Sequence, residues 1–204
     1  MSEATDRDAP PPLGEAVGGA LGIAESVLPS AAFVATYTAT GQQTQPALIA
    51  AVALGAVFGI ARLVRKQTAQ FALAGLAGIA ISAFVVSRTG RAEDFFLPGL
   101  LANAGYALAY AISIAVRWPL VGVVIETASN RGTEWRQDPA RVRAYSRASW
   151  LWVGLFSLRL AVQLPLYLTG AVVALGVARV AMGVPLFAVG IWLSWLILRT
   201  RQRD

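Results

Sequence analysis

Four polar side chains interrupt the long apolar stretches of this sequence, and they are of types that do chemistry inside a membrane. They are Glu25, Asn103, Arg159 and Gln163. Ionisable groups are costly in hydrocarbon, and where they occur they usually mark binding sites, proton relays or ion paths. These four residues therefore form a candidate intramembrane polar cluster.

Arg159 is the most informative member of this cluster. It lies roughly 10 Å along the helix axis from the nearest interfacial tryptophan, which places it well inside the hydrocarbon. Gln163 lies one helical turn further on the same face. One interpretation is a buried ion pair of Arg159 with Glu25 or Glu126 that fixes helix packing. The other is a polar stripe, joined by Asn103, that contacts a substrate.

A second group of charged residues lies in the polar stretch between residues 126 and 147. Its members Arg136, Arg141, Arg143 and Arg147 are candidates for contact with anionic lipid headgroups or with an acidic partner. The ordinary excess of basic residues on the cytoplasmic side of membrane proteins accounts for the same cluster without a binding role.

The composition removes most catalytic chemistry. With no Cys and no His, the chain has no thiol nucleophile, no imidazole base and few ligands for a transition metal. No P-loop, GxSxG, HExxH or paired acidic motif is present, and the acidic residues are few and scattered. The sequence therefore predicts a non-enzymatic protein with no catalytic residues, no cofactor and no metal.

Long apolar blocks must position the polar residues. Hydrophobic residues make up 56 % of the chain and charged residues 14 %. Several blocks reach the roughly 20 residues that a helix needs to cross a hydrocarbon core of about 30 Å. We expect an all-α fold, a polytopic membrane helix bundle of about six transmembrane helices plus short interfacial helices. The predicted spans are residues 27–40, 46–64, 68–87, 95–116, 149–167 and 180–198.

A single transmembrane domain is predicted over residues 13–198, between a disordered Pro-rich tail at 1–12 and a basic cytoplasmic tail at 199–204. Pro29 disfavours helix at the residue before it, which predicts a separate interfacial helix over 13–25. Two short apolar pieces, 13–25 and 169–178, stay open between an interfacial and a re-entrant placement.

Two local signals mark helix starts. Asp138 followed by Pro139 is typical of an N-cap and a first helical position, and it predicts a helix that continues into the fifth span. Asp94 is expected to cap the fourth span in the same way.

The basic residues set the orientation. With both termini in the cytoplasm, the inner loops hold most of the Arg and Lys, and the outer side holds only Arg88, Arg91 and Arg179. We therefore expect a multi-pass protein of the cell (inner or plasma) membrane. The basic residues flank apolar blocks instead of lining one face, so nucleic acid is not an expected partner.

Several short motifs occur in order between Glu25 and Tyr167. They are Leu28-Pro29 with Phe33 and Tyr37; Ala50–Leu54 followed by Arg62, Arg65 and Lys66; Asp94-Phe95-Phe96; Arg117-Trp118-Pro119-Leu120; and Trp152, Phe156 and Gln163. In these motifs the sequence resembles the intracellular septation protein A family of bacterial inner-membrane proteins. Gln163 stands where that family has Asn, and Arg159 has no counterpart. The chain also resembles a related family of uncharacterised membrane proteins from high-GC bacteria.

The resemblance implies a non-enzymatic membrane protein that acts through protein partners of the envelope or division machinery, in septation and cell-envelope maintenance. The residues themselves leave a rival open: a small transporter or channel in which the intramembrane polar cluster lines a cavity. Partner identity, substrate and oligomeric state, including a homo-oligomer, stay open.

Overall fold

The computed structural model describes the backbone of residues 19–64, 69–129 and 132–199, and the side chains of 27–61, 75–129 and 132–199. Within these ranges every regular element is a helix, which confirms the predicted all-α class. Helices suit lipid because each backbone N–H and C=O finds its partner within the segment. The tails predicted at 1–12 and 199–204 lie outside the described residues, apart from Arg199.

Short connections join the helices. In chain order they are α1 (Gly19–Ala39), α2 (Thr44–Val64), α3 (Ala69–Thr89), α4 (Leu97–Ala115), α5 (Leu120–Ala128), α6 (Pro139–Leu168), α7 (Val172–Ala181) and α8 (Val184–Arg199). One 3₁₀ helix, Ala92–Phe96, precedes α4, and another, Glu134–Gln137, precedes α6.

Several segments have the length and hydropathy of membrane spans. Those long and apolar enough to cross a membrane, within the described ranges, are Thr44–Ala61, Ala92–Ala115, Pro139–Leu168 and Val172–Arg199, and two shorter apolar stretches are Val27–Ala39 and Gly75–Thr89. Large apolar side chains lie on the outer surface, where Ile49 is 63 % and Leu101 64 % exposed. Such an apolar surface matches contact with lipid rather than with water.

Helix α6 is the central element of the bundle. It packs along α4 and α8, and it also contacts α5 and α7. Helices α1, α2 and α3 pack in sequence against one another, and α1 also contacts α7. The α7–α8 pair therefore joins the two groups of helices, with α7 beside α1 and α8 beside α6.

Two apolar clusters form the core. The phenylalanine cluster consists of Phe33, Ala47, Ala51, Val86, Ala92, Phe95, Phe96, Val172 and Leu175. The tryptophan cluster consists of Val121, Ala148, Trp152, Leu155 and Phe156. We call the end of the bundle that holds α5 and the second 3₁₀ helix the basic end, because Arg117, Arg136, Arg143 and Arg147 lie there.

The start of the first span differs from the prediction. Instead of a separate piece ending at residue 25, one helix runs from Gly19 to Ala39 with Pro29 inside it. The missing N–H of Pro29 removes one helical hydrogen bond. Neighbouring helices make such a proline tolerable in a membrane helix, and Pro29 is indeed buried. Residues 13–18 of the predicted interfacial helix lie outside the described residues.

The two predicted helix starts have opposite outcomes. The N-cap at Asp138 is confirmed: its Oδ1 accepts hydrogen bonds from the backbone N–H groups of Ala140 (2.8 Å) and Arg141 (3.2 Å). The cap at Asp94 is wrong. Asp94 lies inside the first 3₁₀ helix, and its carboxylate accepts a 2.6 Å hydrogen bond from the Tyr167 hydroxyl.

Candidate functional site

Most of the second short apolar piece, 169–178, lies in α7, which packs against α1 and α6. Helix α7 stops at Ala181 and α8 begins at Val184, rather than at residue 180 as predicted for the sixth span. In the break, the Met182 N–H still bonds to the Ala178 carbonyl (2.9 Å) and the Gly183 N–H to the Val180 carbonyl (3.1 Å). The last apolar segment is therefore a discontinuous helix.

Local sequence encodes this break. A Cβ at Gly183 would lie 3.1 Å from the carbonyl oxygen of Arg179 and 3.2 Å from that of Val180, so only glycine fits without a backbone shift. Pro185 follows in the first turn of α8, where a residue without an N–H is readily accommodated. Glycine and proline together end one helix and begin the next.

Small residues hold α8 close to α6. At Gly190, a Cβ would lie only 2.8 Å from a methyl group of Leu155. One turn later, Ser194 Oγ accepts a 3.0 Å hydrogen bond from the Trp152 indole N–H. Small residues of this kind let membrane helices approach each other closely. This contact holds the central turns of α8 against the middle of α6.

A cavity of about 290 Å³ lies at the break. The residues that line it come from α1, α6, α7 and α8, and they are Val27, Arg159, Arg179, Val180, Gly183, Val184 and Phe187. We call it the arginine cavity. Its only ionisable lining groups among the described side chains are the two arginines, so its walls are apolar and cationic.

The two guanidinium groups lack anionic partners in the part of the chain whose side chains are described. Arg159 Nε is buried and has no hydrogen-bond partner there. The Arg179 guanidinium lies over the Phe96 ring, 5.7 Å from its centroid, and against Gly99, where a Cβ would lie 3.1 Å from its Nη1. Two cations that share one cavity repel each other, and each lacks a described counter-charge.

The structure brings together only part of the predicted intramembrane polar cluster. Arg159 lines the arginine cavity, and Gln163, one turn away on α6, is 3 % exposed with an unpartnered Nε2. Asn103 is buried on α4, which packs along α6, but it does not line the cavity. The backbone of Glu25 belongs to α1, and its side chain lies outside the described side chains.

Arg179 is a residue of this site that the sequence analysis did not include in the polar cluster. It was counted among the outer-side basic residues, and the structure places it on α7, near the helix break, where it lines the arginine cavity. A signal was present in the sequence, because Arg179 is the only charged residue in the apolar stretch 172–198, and Gly183 and Pro185 follow it within two helical turns. Interrupted apolar segments of this kind point to intramembrane binding sites.

Glu126 has partners other than Arg159. Its carboxylate is 2 % exposed and accepts a 2.5 Å hydrogen bond from the Tyr145 hydroxyl. Arg141 Nη1 lies 3.8 Å from the same oxygen, and Arg141 Nε lies 3.6 Å from Asp138 Oδ2. The predicted alternative pair of Arg159 with Glu126 is therefore wrong, because Glu126 already has these partners at the basic end.

Three of the four arginines predicted to contact lipid share a second cavity at the basic end. This cavity, of about 670 Å³, is lined by Arg117, Arg136, Pro139, Val142, Arg143, Ser146, Arg147 and Trp150. We call it the basic cavity. Arg141 is not among its lining residues, since it contacts Glu126 and Asp138 instead. Arg117, which was not part of the predicted set, takes its place.

The fold and these sites define a class: an all-α membrane helix bundle with a discontinuous helix and a cationic cavity at its break. The chain belongs to the family described as "Protein of unknown function (DUF3159)", whose model matches residues 17–204. No curated protein and no solved structure matches the chain.

Proposed function

We propose that this protein binds a small anion in the arginine cavity and carries it across the cell membrane. The observation that supports this proposal is the pair of arginines, Arg159 and Arg179, which line one intramembrane cavity without a carboxylate partner among the described side chains. An unpaired buried charge is costly, and a bound anion removes that cost.

The helix break adds a further attraction for an anion. The first backbone N–H groups of a helix have no partner within that helix, and they carry a partial positive charge. In α8 these are the N–H groups of Val184 and Leu186, because Pro185 has none and the Phe187 N–H bonds to the Gly183 carbonyl. Val184, the first residue of α8, lines the arginine cavity, so this helix end lies beside the two guanidinium groups. Transporters commonly bind substrates at such breaks, near the middle of the bilayer.

The size of the cavity favours a small anion. Its volume of about 290 Å³ is near the lower limit of known ligand pockets. Apart from the arginines, its walls are mainly apolar side chains such as Val27 and Phe187. An inorganic oxoanion or a short carboxylate fits both the volume and the charge, and the planar guanidinium groups match the oxygen geometry of either.

The transport proposal includes a topology. We place six crossings in the membrane, with the two shorter apolar stretches Val27–Ala39 and Gly75–Thr89 spanning together with the four longer segments. The excess of basic residues in one set of loops supports cytoplasmic termini and a cytoplasmic basic end. The protein then acts without covalent chemistry, as a carrier.

The predicted role in septation, with protein partners of the envelope or division machinery, is a separate proposal. It rests on the resemblance of short motifs, and the described contacts give it no added support. The arginine cavity favours transport over this role, because a protein that acts only through its surface does not need two partly buried cations in one cavity.

Calorimetric titration of the detergent-solubilised protein with phosphate, sulfate, nitrate or acetate tests the proposal. We expect saturable binding of at least one anion by the wild type. Arg159→Gln and Arg179→Gln should each weaken that binding about tenfold or more, because a hydrogen bond to a charged group contributes about 1.5–3 kcal/mol.

Arg88→Gln is the matched control, because Arg88 is an exposed arginine stacked on Phe84 in the same bundle. This variant should bind as the wild type does. Absence of binding for every anion, or full binding by both cavity variants, would overturn the proposal.

A further inference from the structure

The basic cavity is a second site, separate from the arginine cavity. It lies between the C-terminal end of α4, the second 3₁₀ helix and the first turns of α6. Its four arginines are Arg117, Arg136, Arg143 and Arg147. No acidic side chain is among the described residues that line the cavity, so its field attracts anions.

Two acidic residues of the basic end form ion pairs with an arginine that does not line the cavity. Arg141 contacts both Glu126 and Asp138. Arg136 instead lies over the Trp118 ring, 4.0 Å from its centroid, a contact that leaves its N–H groups free to point sideways toward a ligand. Arg143 and Arg147 are exposed and one turn apart on α6.

Arg117 occupies a backbone position that normally belongs to glycine. Its φ is 57°, and it directly follows the C-cap of α4. The Trp118 N–H bonds to the Ser113 carbonyl (2.8 Å) and the Arg117 N–H to the Ile114 carbonyl (3.0 Å), which is a Schellman motif. An arginine in this left-handed conformation is strained, whereas glycine is not. The backbone conformation favours glycine here, and the guanidinium that replaces it lines the basic cavity.

The tryptophans around the cavity indicate its position relative to the membrane surface, and hence the source of its ligand. Trp150 lines it and is 56 % exposed, and Trp118 lies beside it under Arg136. Exposed tryptophans at helix ends are typical of the membrane–water interface, at the level of the lipid headgroups. The cavity therefore opens where phosphate groups of the bilayer lie.

We propose that the basic cavity binds the phosphate groups of an anionic phospholipid from the adjacent leaflet. Arginine guanidinium groups bind phosphate oxygens in a bidentate manner. Four arginines and about 670 Å³ exceed what one phosphate needs, and they fit a headgroup with two phosphodiesters, such as cardiolipin. This proposal does not rest on anion transport.

Native mass spectrometry of the detergent-solubilised protein, with cardiolipin, phosphatidylglycerol, phosphatidylcholine or inorganic phosphate added, tests this proposal. We expect cardiolipin to be retained most strongly, phosphatidylglycerol less, and phosphatidylcholine least. Each arginine removed should weaken cardiolipin binding about fivefold, and added salt should weaken it for the wild type.

Arg117→Gly is the decisive variant. It removes the guanidinium and also relieves the backbone strain, so the protein should melt at or above the wild-type temperature while it binds cardiolipin about fivefold more weakly. Arg143→Gln, on a different element, should weaken binding to a similar degree. Arg199→Gln is the control, because Arg199 stacks on Trp195 away from the cavity, and its binding should match the wild type.

Four outcomes would overturn the proposal. The first is equal retention of cardiolipin and phosphatidylcholine, and the second is wild-type cardiolipin binding by both cavity variants. The third is competition by inorganic phosphate as strong as that by phosphatidylglycerol, which would make free phosphate the ligand rather than a lipid. The fourth is a loss of cardiolipin binding in Arg199→Gln as great as in Arg117→Gly. That result would show that any basic residue contributes equally and that the basic cavity is not a specific site.

Discussion

Replacing Arg159 by glutamine should raise the stability of the anion-free protein, since two cations without an anionic partner among the described side chains share the arginine cavity. A sphere of about 290 Å³ is about 8 Å across, so charges on opposite walls repel by about 2 kcal/mol at an effective dielectric constant near 20. Arg159→Gln removes this repulsion and keeps a polar side chain of intermediate length. Some packing of the arginine stem is lost. We expect a net gain of about 1 kcal/mol.

Thermal unfolding in detergent, followed by tryptophan fluorescence, measures this effect. In a buffer whose only anion is bulky gluconate, the variant should melt about 2–4 °C above the wild type. Addition of the anion that binds should raise the wild-type melting temperature, because a ligand at about a hundred times its Kd adds about 2.7 kcal/mol. The variant should lose most of that rise.

The same experiment separates this account from an ion pair between Arg159 and Glu25. If the two residues formed a buried pair, removing either charge would leave the other unpaired and cost a few kcal/mol. Arg159→Gln and Glu25→Gln would then both melt well below the wild type, and the double variant would recover. A lower melting temperature for Arg159→Gln, rescued by Glu25→Gln, would refute the reasoning.

Packing at the basic end and the topology give two other measurable outcomes. Gly122→Ala should lower stability by about 1–3 kcal/mol, since the added Cβ would lie 2.7 Å from the Tyr145 ring. The ring would have to move, and the hydrogen bond from the Tyr145 hydroxyl to the buried Glu126 carboxylate would be lost. Gly105→Ala, where nothing lies within 4 Å, should be neutral in the same melting assay. Reporter fusions after Gly41 should read as external and those after Gly132 as cytoplasmic. An external signal at Gly132 would contradict the six-crossing proposal.

Structural features that depend on one or two helical turns were predicted correctly from the sequence. The all-α class followed from apolar block length, and the cap at Asp138 followed from an Asp-Pro pair whose geometry depends only on adjacent residues. Asp94 carries a similar local signal, but the structure uses its carboxylate for the Tyr167 hydroxyl, far away in sequence. A cap is predictable only where no tertiary partner competes for the same oxygen.

The arginine cavity was only half predictable. Arg159 stood out because it lies deep in a long apolar helix, and its depth can be counted from the sequence. Arg179 did not, because it was counted as a loop residue that ends a short apolar piece. Its place beside Arg159 depends on where α7 packs and on its end at Ala181, which is decided by contacts with α1 and α6. Counting charged residues along the sequence does not reveal how α7 packs.

Tertiary structure also decides which basic residues form ion pairs and which line the basic cavity. Arg141 and Arg143 are two positions apart on α6 and look equivalent in sequence, yet they point to different faces. Arg141 reaches Glu126, whereas Arg143 lines the basic cavity. The position of the Glu126 carboxylate on α5 therefore decides which arginine is available to a ligand.

Anion flux through proteoliposomes tests the central claim most directly. Purified protein in vesicles loaded with an anion-sensitive dye should carry the anion that binds in calorimetry, and protein-free vesicles should not. Arg159→Gln and Arg179→Gln should reduce the flux to the protein-free rate, and Arg88→Gln should keep it. Wild-type flux equal to that of protein-free vesicles, or full flux through both cavity variants, would contradict transport through the arginine cavity.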